Sequence, residues 1–466
     1  MKAPAAGDRH SFAAQPTPIL AINPHRRSSI LLLVSDLASV VLVFNLVMFL
    51  RALGSAEPVS WPLVAPALIL VAALYLIDGY GAQADMLSLD YASQHLIASF
   101  FAMLATLLLT YAFINVGFEL QSSRAVIILS FAVIGPFTLA YRRVFYERST
   151  VSRGERKIVF VGGMEDFEVF TSECRRLGTR KPLLYIDSRD KLGSFEAILD
   201  SIAQSKTPVE AIVVKESGVG LPDDVPMKLV QLYFDGIPTY TLEIFHQVYW
   251  RKIPLYRINP VWLLQEGFQI AREPVFERLK RGSDILLSIA GLVVFSPVIA
   301  AAAAAIKLGD GGPVFFTQTR IGWHKVPFRL AKFRTMSVSG GTDDPYTRRD
   351  DARITRVGRL LRSMRLDELP QLWNVLRGEM SLIGPRAEWD RLVGEYEREI
   401  PCYHFRHLVK PGITGWAQVN YRYGSGVEDT LRKLEYDLYY IRNFSFVLDA
   451  SIVLKTLHVM LLRKGR

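Results

Sequence analysis

The 466-residue chain has only two cysteines, Cys174 and Cys402, and they lie far apart in the sequence. This excludes a disulfide framework and a cysteine-based zinc site. No cleavable signal peptide is predicted, because the first apolar run begins only at Ile30 and lacks a small-residue cleavage site. Charged residues make up only 21% of the chain and the mean hydropathy is +0.20, which excludes a disordered protein and disfavours a purely soluble enzyme. The composition therefore indicates a membrane-attached protein facing a reducing compartment.

The first third of the chain contains four apolar runs, each near the roughly 20 residues that cross a bilayer. They extend over about Ile30–Leu50, Trp61–Ile77, Leu96–Val116 and Ala125–Ala140. Basic residues precede the first run and follow the fourth, which predicts that both ends face the cytoplasm. We predict a cytoplasmic tail over residues 1–28 and a four-helix transmembrane block over 29–145. Asp36 is the one interior charge, so the block is interpreted as an anchor and not as an ion path.

The middle of the chain, residues 155–265, has the composition of a soluble domain. Short apolar runs predict strands at Ile158–Val161, Leu183–Ile186 and Ala211–Val214, alternating with helical stretches. This rhythm predicts a small Rossmann-like α/β domain. The turn after the first strand begins Gly162-Gly163 but lacks glycine at its third and sixth positions, which disfavours a dinucleotide site. A structural or regulatory role is expected.

A fifth apolar run, Ile285–Ile306, is long enough to cross a membrane but has basic residues on both sides. Ser296-Pro297 lies near its middle, where proline removes a backbone N–H and breaks or kinks a helix. The serine hydroxyl is expected to satisfy a carbonyl that the proline leaves free. We predict a re-entrant helix–break–helix over residues 284–306 that enters and leaves by the cytoplasmic face. The alternative is an ordinary kinked span.

The segment after this run is strongly basic. Residues 320–386 contain fourteen Lys or Arg against seven Asp or Glu. Arginines recur at every third position, at Arg353, Arg356, Arg359, Arg362 and Arg365. A solvated or lipid-facing surface explains most of them, and a nucleic acid partner is disfavoured because no nucleic-acid-binding motif accompanies the charge. Arginines beside acidic residues suit a substrate that carries a pyrophosphate, because guanidinium groups match phosphate oxygens.

Two adjacent carboxylates, Asp367 and Glu368, stand just before Pro370 and an apolar stripe typical of an amphipathic helix. Asp367 is predicted as the N-cap, and the helix macrodipole is expected to keep both carboxylates ionised. An ionised aspartate there could attack phosphorus while the glutamate holds Mg²⁺. The alternative is that the pair serves only as a helix cap.

The C-terminal part, about Phe276 to Arg466, resembles the bacterial sugar transferases, which are monotopic polyprenyl-phosphate hexose-1-phosphate transferases. The resemblance rests on an ordered series of motifs over most of this part. These are Lys280-Arg281 with Asp284, Ser296-Pro297, Gly312-Pro313-Val314, Lys332-Phe333-Arg334-Thr335-Met336, Arg353 to Gly358, Leu366 to Gln371, Asn374-Val375, Gly384-Pro385-Arg386, Lys410 to Trp416, and Tyr436-Asp437. The N-terminal spans and the α/β insert resemble the large branch of that family.

The resemblance implies that residues 276–466 form a mostly helical catalytic domain on the cytoplasmic face of the bacterial inner membrane. The implied reaction transfers a hexose 1-phosphate from a UDP-sugar to undecaprenyl phosphate, releases UMP, and starts exopolysaccharide, capsule or O-antigen synthesis. Asp367 is the implied nucleophile, forming a phosphosugar-aspartate, and Glu368 the implied Mg²⁺ ligand. Lys332, Arg334, Arg356 and Arg386 are the expected phosphate contacts.

The sequence does not identify the hexose, for which the resemblance to this branch of the family suggests glucose or galactose. A homodimer through the soluble or membrane part is compatible with the sequence. One departure from the family pattern is Ala387, which stands where a second proline usually follows Arg386. This leaves the placement of Arg386 in doubt. The alternatives to an enzyme are a non-catalytic membrane scaffold and a translocation protein for lipid-linked sugars.

Overall fold

The computed structural model describes residues 24–51, 61–81, 86–112, 124–152, 156–179, 181–187, 194–204, 208–215, 225–255, 274–337, 353–421, 424 and 426–461. Some of the predicted features therefore lie outside the described residues. These are most of the N-terminal tail, the end of the third apolar run, the start and end of the segment 155–265, and the last residues of the C-terminal domain.

The N-terminal block consists of four helices. Their bounds are Pro24–Arg51 (α1), Val64–Leu76 (α2), Leu89–Ala112 (α3) and Arg124–Ser152 (α4). Three of them contain segments long and apolar enough to cross a membrane, Ser28–Arg51, Tyr91–Tyr111 and Arg124–Arg148. The helix α2 has 13 residues, about 20 Å at 1.5 Å per residue, and is preceded by a 3₁₀ turn at Trp61–Leu63. Length and composition therefore support three of the four predicted spans.

The interior charge Asp36 has a buried partner. Asp36 and Arg142 are both fully buried and form an ion pair between α1 and α4. The Tyr80 hydroxyl donates to Asp36 Oδ2 at 2.6 Å, and Arg142 also donates to the carbonyl of Gly79. These donors offset the desolvation of the buried Asp36 carboxylate. The Asp36–Arg142 pair therefore fixes the loop after α2 against the helix bundle.

The middle domain is a four-stranded parallel sheet with helices on both faces. Its elements are Lys157–Gly162 (β1), Met164–Arg176 (α5), Leu183–Asp187 (β2), Ser194–Ala203 (α6), Val209–Val214 (β3), Val225–Phe234 (α7), Thr239–Thr241 (β4) and Leu242–Trp250 (α8). The strand order is β2-β1-β3-β4, which confirms the three predicted strands and adds a fourth. Alternate residues of β1 face opposite layers, since Val159 packs with α6 and α7 whereas Phe160 packs with α5 and α8. At the first turn of α5, Asp166 pairs with Lys215 at 2.5 Å.

The C-terminal domain begins with two helices joined at a bend. Its elements are Pro274–Val294 (α9), Ser296–Asp310 (α10), Phe315–Ile321 (β5), Pro327–Phe333 (β6), Arg356–Ser363 (α11), Gln371–Arg377 (α12), Ser381–Ile383 (β7), Glu388–Trp389 (β8), Asp390–Glu399 (α13), Gly412–Thr414 (β9), Trp416–Asn420 (α14), Val427–Arg442 (α15) and Phe446–Leu461 (α16). The strands form an antiparallel sheet in the order β6-β5-β8 and a parallel pair, β7 with β9. The main core lies between these strands and α13 to α16, and the fully buried Trp416 belongs to it.

Buried charges join the middle domain to the C-terminal domain. The fully buried Lys252, just after α8, contacts Glu173 of α5 and lies 2.9 Å from Glu435 of α15. The neighbouring Arg251 pairs with Asp78 of the membrane block at 2.8 Å, and its carbonyl accepts the indole N–H of Trp416. This short segment therefore contacts all three parts of the chain.

The last helix, α16, packs between the membrane block and the core of the C-terminal domain. Leu454 of α16 belongs to the core of the membrane block, and His458 Nδ1 lies 3.0 Å from Ser93 Oγ of α3. Its other buried face, with Leu448 and Ile452, joins the C-terminal core. The helix is therefore a packing element between the two parts.

Candidate active site

The predicted carboxylate pair lies in a 3₁₀ turn, Leu366–Glu368, against strand β6. Glu368 Oε1 is 3.0 Å from Lys332 Nζ, and both terminal nitrogens of Arg386 lie 3.4 Å from the same oxygen. The Glu368 side chain is only 12% exposed. The structure therefore brings together four of the predicted site residues, because Asp367 precedes Glu368 in the same turn.

The environment of Glu368 keeps it ionised. Burial alone would raise the pKa of this carboxyl, but Lys332 and Arg386 lower its pKa to about 2. The two partners of the ion pair respond differently. Burial and the nearby Arg386 lower the pKa of Lys332, although Glu368 opposes that change. The ion pair therefore outweighs the effect of burial on the pKa of Glu368 but not on the pKa of Lys332. The reason is that Glu368 faces two cations, whereas Lys332 has the cation Arg386 beside it.

Asp367 differs from the sequence-based prediction. The helix α12 begins at Gln371 with Pro370 as its N-cap residue, and Asp367 makes no capping hydrogen bond. The predicted N-cap is therefore wrong, because a separate 3₁₀ turn precedes the helix. Burial raises the pKa of Asp367 and the adjacent Glu368 raises it further, while Lys332 and Arg362 oppose the change. Lys332 and Arg386 hold Glu368 ionised, whereas at Asp367 the charges of Lys332 and Arg362 only oppose the rise of the pKa.

The side chain of Asn374 connects α12 to β6. Its Oδ1 accepts the N–H of Ala331 at 3.0 Å and its Nδ2 donates to the carbonyl of Arg329 at 2.8 Å. Nδ2 also donates to Glu379 at 2.6 Å, and the residue is 2% exposed. The amide thus pairs with one edge of β6 as a neighbouring strand would. This fixes the distance between the turn that carries Glu368 and the strand that carries Lys332.

Two predicted phosphate contacts do not join the carboxylate pair in this structure. Arg334 is buried and its guanidinium lies against Gly312, where an added Cβ would stand 2.1 Å from Nη1. Arg356 is an exposed residue at the first turn of α11. The glycine of the Gly312-Pro313-Val314 motif therefore makes room for Arg334, and no hydrogen bond or ion pair among the described residues connects Arg356 to the pair.

Arg362 is the site residue that sequence reasoning did not single out. Its Nε donates to Thr335 Oγ1 at 2.8 Å, and its charge acts on Asp367. The helix α11 approaches closely because residue 358 is glycine, since a Cβ there would lie 2.1 Å from the Thr335 carbonyl oxygen. The arginine repeat contained this residue, but repeat spacing alone does not tell which arginine reaches the pair.

Arg386 is held although Ala387 replaces the usual proline. The carbonyl of Ala387 accepts Arg320 Nη1 at 3.1 Å, and the carbonyl of Arg386 accepts Arg406 Nη2 at 2.8 Å. Arg406 is itself buried and pairs with Asp437 at 3.1 Å. Side-chain hydrogen bonds to the loop carbonyls therefore supply the rigidity that the missing proline put in doubt.

The break between α9 and α10 has the predicted chemistry. The two helix axes differ by 61°. Pro297 has no N–H for the carbonyl of Val293, and the Ser296 hydroxyl donates to that carbonyl at 2.8 Å instead. The serine hydroxyl thus replaces the donor that the proline removes.

The base of α9 is attached to the same turn-and-helix unit. Arg281 donates to the carbonyls of Val375 and Leu376 at the end of α12, and Asp284 Oδ1 accepts the N–H of Leu382 at 3.1 Å. Further along, Gly291 of α9 faces Leu372 of α12. The bent helix pair therefore holds the carboxylate turn in a fixed position relative to itself.

The carboxylate pair fits Mg²⁺ only if oxygen atoms of a substrate complete the set of metal ligands. Among the described residues no group of three or more His, Cys, Asp or Glu side chains converges on one point. Asp367 and Glu368 offer hard oxygens, and the cations occupy only Oε1 of Glu368. Magnesium is commonly bound by one or two carboxylates together with substrate phosphates and water. The pair therefore fits a metal that arrives with a phosphorylated ligand.

Comparison with known proteins matches the same part of the chain. A family model described as bacterial sugar transferase matches residues 275–463. A UDP-N-acetylgalactosamine-undecaprenyl-phosphate N-acetylgalactosaminephosphotransferase of Aeromonas hydrophila is 48% identical over 189 residues, covering 40% of this chain and 45% of that protein. A UDP-glucose:undecaprenyl-phosphate glucose-1-phosphate transferase of Escherichia coli (strain K12) is 46% identical over 185 residues, covering 38% and 39%. An uncharacterized sugar transferase, EpsL, of Bacillus subtilis (strain 168) is 43% identical over 191 residues, covering 40% of this chain and 89% of that protein. The chain thus spans less than half the length of the first two relatives and most of the third.

Proposed function

The chain belongs to the bacterial sugar transferase family, and on this premise we propose that it transfers a hexose 1-phosphate from a UDP-sugar to undecaprenyl phosphate and releases UMP. The observation that carries the proposal is the carboxylate pair with Lys332, Arg386 and Arg362 around it. Three cations around the carboxylate pair suit a substrate that carries two phosphates. The product would start the assembly of an exopolysaccharide, capsule or O-antigen.

In the proposed reaction Asp367 attacks the phosphorus that bears the sugar. A bond forms between its carboxylate oxygen and that phosphorus, the bond to the UMP oxygen breaks, and UMP leaves with the electron pair. An oxygen of undecaprenyl phosphate then attacks the same phosphorus, and the aspartate leaves as a free carboxylate. Two steps let a water-soluble donor and a lipid acceptor use one site in turn. The raised pKa of Asp367 is consistent with a nucleophile kept partly out of water.

Glu368 and the cations have separate proposed roles. Lys332 and Arg386 hold Glu368 ionised, so that Oε2 together with substrate phosphate oxygens would bind Mg²⁺. When bound, the metal would supply a positive charge that offsets the charge of the phosphates. Arg362, held by Thr335, faces Asp367 and would contact the transferred phosphoryl group.

The bent helix pair supports a membrane position for this site. If α9 and α10 meet the surface at equal angles, a bend of 61° inclines each by about 30°. The 15 residues of α10 then span about 22 Å and reach about 11 Å deep, less than half of a hydrocarbon core of about 30 Å. Exposed apolar side chains on the pair suit this depth, among them Leu286, Val293 and Val294. We therefore propose a re-entrant pair that enters and leaves by the cytoplasmic face of the inner membrane.

The remaining architecture is proposed as an anchor and a support. Four crossings by α1 to α4 would place both ends of the block in the cytoplasm, with the short α2 as the fourth span. The parallel sheet with helices on both faces suits a Rossmann-like domain, and its contacts through Lys252 suit a structural role beside the catalytic part. We also propose that two copies of the chain form a homodimer.

The test is UMP release by the full-length protein in nanodiscs with undecaprenyl phosphate, Mg²⁺ and a panel of UDP-sugars that includes glucose, galactose and their N-acetyl forms. We expect release with one sugar, and its loss in Asp367→Asn and Glu368→Gln and on addition of EDTA. Radiolabelled sugar phosphate should remain on the wild-type protein when undecaprenyl phosphate is omitted.

The matched control is Asp390→Asn. Asp390 stands in the first turn of α13, is exposed, and accepts through Oδ1 the N–H of Arg391, with no other hydrogen bond to the described residues. Full activity in this variant would show that losing a helix-start carboxylate is not by itself harmful. No release with any sugar from folded wild-type protein would refute the proposal and favour a membrane scaffold.

A further inference from the structure

A cavity of about 390 Å³ lies at the opposite end of α12 from the carboxylate pair. Its walls come from the base of α9, the turn between β5 and β6, β7, and residues 408–410. Arg281, which lines it, binds the carbonyls at the C-terminal end of α12, whereas Glu368 precedes its N-terminal end. Since seven helical residues span about 10 Å, the cavity is separate from the proposed active site.

The cavity has a cation, Lys410, that makes no direct ion pair with a described carboxylate, although the charges of Glu277 and Asp284 act on it. Lys410 Nζ lies 5.3 Å from the ring centre of Trp323 and makes no ion pair with any described carboxylate. The indole N–H of Trp323 donates to the carbonyl of Leu408 at 3.1 Å, which fixes the ring. Arg281 Nη2 and Lys410 Nζ would lie 3.4 and 3.9 Å from a Cβ on Gly378, so the two cations converge. Burial and the nearby Arg281 lower the pKa of Lys410, whereas the charges of Glu277 and Asp284 oppose that change.

The cavity also contains acids. Glu277, one wall residue, makes no ion pair or hydrogen bond with the described residues, while Asp284 accepts the N–H of Leu382. Lys280, also in the wall, is neutralised by Asp449 at 2.5 Å. The lining therefore combines positive and negative groups that act on each other without a direct ion pair between Lys410 and the acids, and it has little net charge. A dianionic ligand would face repulsion from the acids, whereas a ligand with both charges would match both sets.

The position of the cavity points to a lipid. Glu277, Lys280, Arg281 and Asp284 recur at helical spacing on one face of α9. One turn further into the bent pair, the same face carries Leu287, which is 57% exposed. An acyl chain leaving the cavity would thus meet apolar surface. Tryptophan beside lysine is also typical of the level of the lipid headgroups.

We propose that this cavity binds the headgroup of a zwitterionic phospholipid of the phosphatidylethanolamine type, an inference that rests on the proposed membrane position of α9. The phosphate would contact Lys410 and Arg281, and the ammonium group would contact Glu277. The Trp323 ring, Phe444 and the aliphatic wall residues would cover the glycerol part. The volume lies within the range of small-molecule sites.

The test is native mass spectrometry of the full-length protein in detergent with equal amounts of phosphatidylethanolamine, phosphatidylglycerol and phosphatidylcholine of the same chains. We expect the wild type to retain phosphatidylethanolamine about tenfold more than phosphatidylglycerol, which carries no ammonium group. Glu277→Gln should remove this preference while keeping total lipid binding. Lys410→Met should reduce retention of both lipids about tenfold.

The matched control is Lys325→Met, because Lys325 lies in the same turn region, is exposed and pairs with Glu397 outside the cavity. Its lipid retention should equal that of the wild type.

Soluble glycerophosphoethanolamine at the same concentration should not displace the lipid, because the acyl chains of the lipid contribute to binding. Displacement would reassign the cavity to a free phosphoethanolamine compound. Any one of three results would overturn the proposal. These are equal retention of the three lipids, lipid retention in Lys410→Met equal to that of the wild type, and displacement of the bound lipid by added undecaprenyl phosphate. The measurement contains no sugar nucleotide, so it gives its answer even if UMP release fails.

Discussion

Replacing Lys332 by methionine should change how the protein responds to acid. Lys332 Nζ is 3.0 Å from Glu368 Oε1 and is the closer of the two cations there. The pKa of Glu368 is about 2 against an ordinary 4.5, a difference worth about 3 kcal/mol at 1.36 kcal/mol per unit. Because the pKa is lowered in the folded state, this stability is fully present above pH 4.5 and is lost as the pH falls towards 2.

In Lys332→Met, Glu368 stays buried and keeps Arg386, with 3.4 Å between the charged atoms, together with the charge of Arg365. Its pKa should rise towards the ordinary 4.5, so the variant should be destabilised at pH 7 by about 3 kcal/mol, and this deficit should shrink as the pH falls from 4.5 towards 2. The measurement is the thermal midpoint of the purified protein between pH 3 and 8, with Lys325→Met as the surface control. A deficit that is the same at every pH would refute the reasoning.

A double-mutant cycle separates charge from packing. In a Glu368→Gln background Lys332 has lost its carboxylate partner, so Lys332→Met should cost little there or even stabilise the protein. We expect a coupling free energy of about 2 kcal/mol between the two positions, within the range for contacting residues. Equal costs in both backgrounds would show that methionine merely packs poorly.

Three further changes test other contacts. Asn374→Leu should cost about 2–4 kcal/mol, because it leaves edge groups of β6 unpaired, and a lowered thermal midpoint would reveal this. Arg362→Gln should raise the pKa of Asp367 further and so move the acidic limb of the pH profile of UMP release to higher pH, with a larger effect on kcat than on KM. An acidic limb at the wild-type pH would contradict the proposed contact between Arg362 and Asp367. Pro297→Ala restores an N–H to the helix, so spin labels at Leu286 and Leu308 should move apart, and an unchanged distance would mean that surrounding contacts set the bend.

Much of the architecture could be predicted because it depends on local patterns. The apolar runs gave three of the membrane-length helices, and period and composition located the strands of the middle domain. The pair Ser296-Pro297 predicted both the break and its hydrogen bond, since a proline acts on the carbonyl four residues earlier. The length of α2 was harder to predict, because a hydropathy pattern does not tell where helical hydrogen bonding begins.

The site shows the limits of reading a motif alone. Asp367 and Glu368 were found by their position beside Pro370, but the N-cap assignment failed because the chain forms a separate 3₁₀ turn before α12. Arg334 and Arg356 were grouped with the true neighbours Lys332 and Arg386 on the grounds of charge and motif. Among the described residues, contact with Glu368 is seen for Lys332 and Arg386, and charge patterns alone do not tell which basic residues make such a contact.

The sequence by itself determined the family, the apolar segments, the helix break and the identity of the carboxylate pair, because each depends on residues close together in the chain. Only the tertiary structure decided which cations meet Glu368, since Lys332 and Arg386 come from separate segments that the amide of Asn374 and the guanidinium of Arg406 hold in position. The same holds for Asp36 with Arg142 and for Lys252 with Glu435. A buried charge is stable only where a distant partner offsets its desolvation, and that partner is chosen by packing.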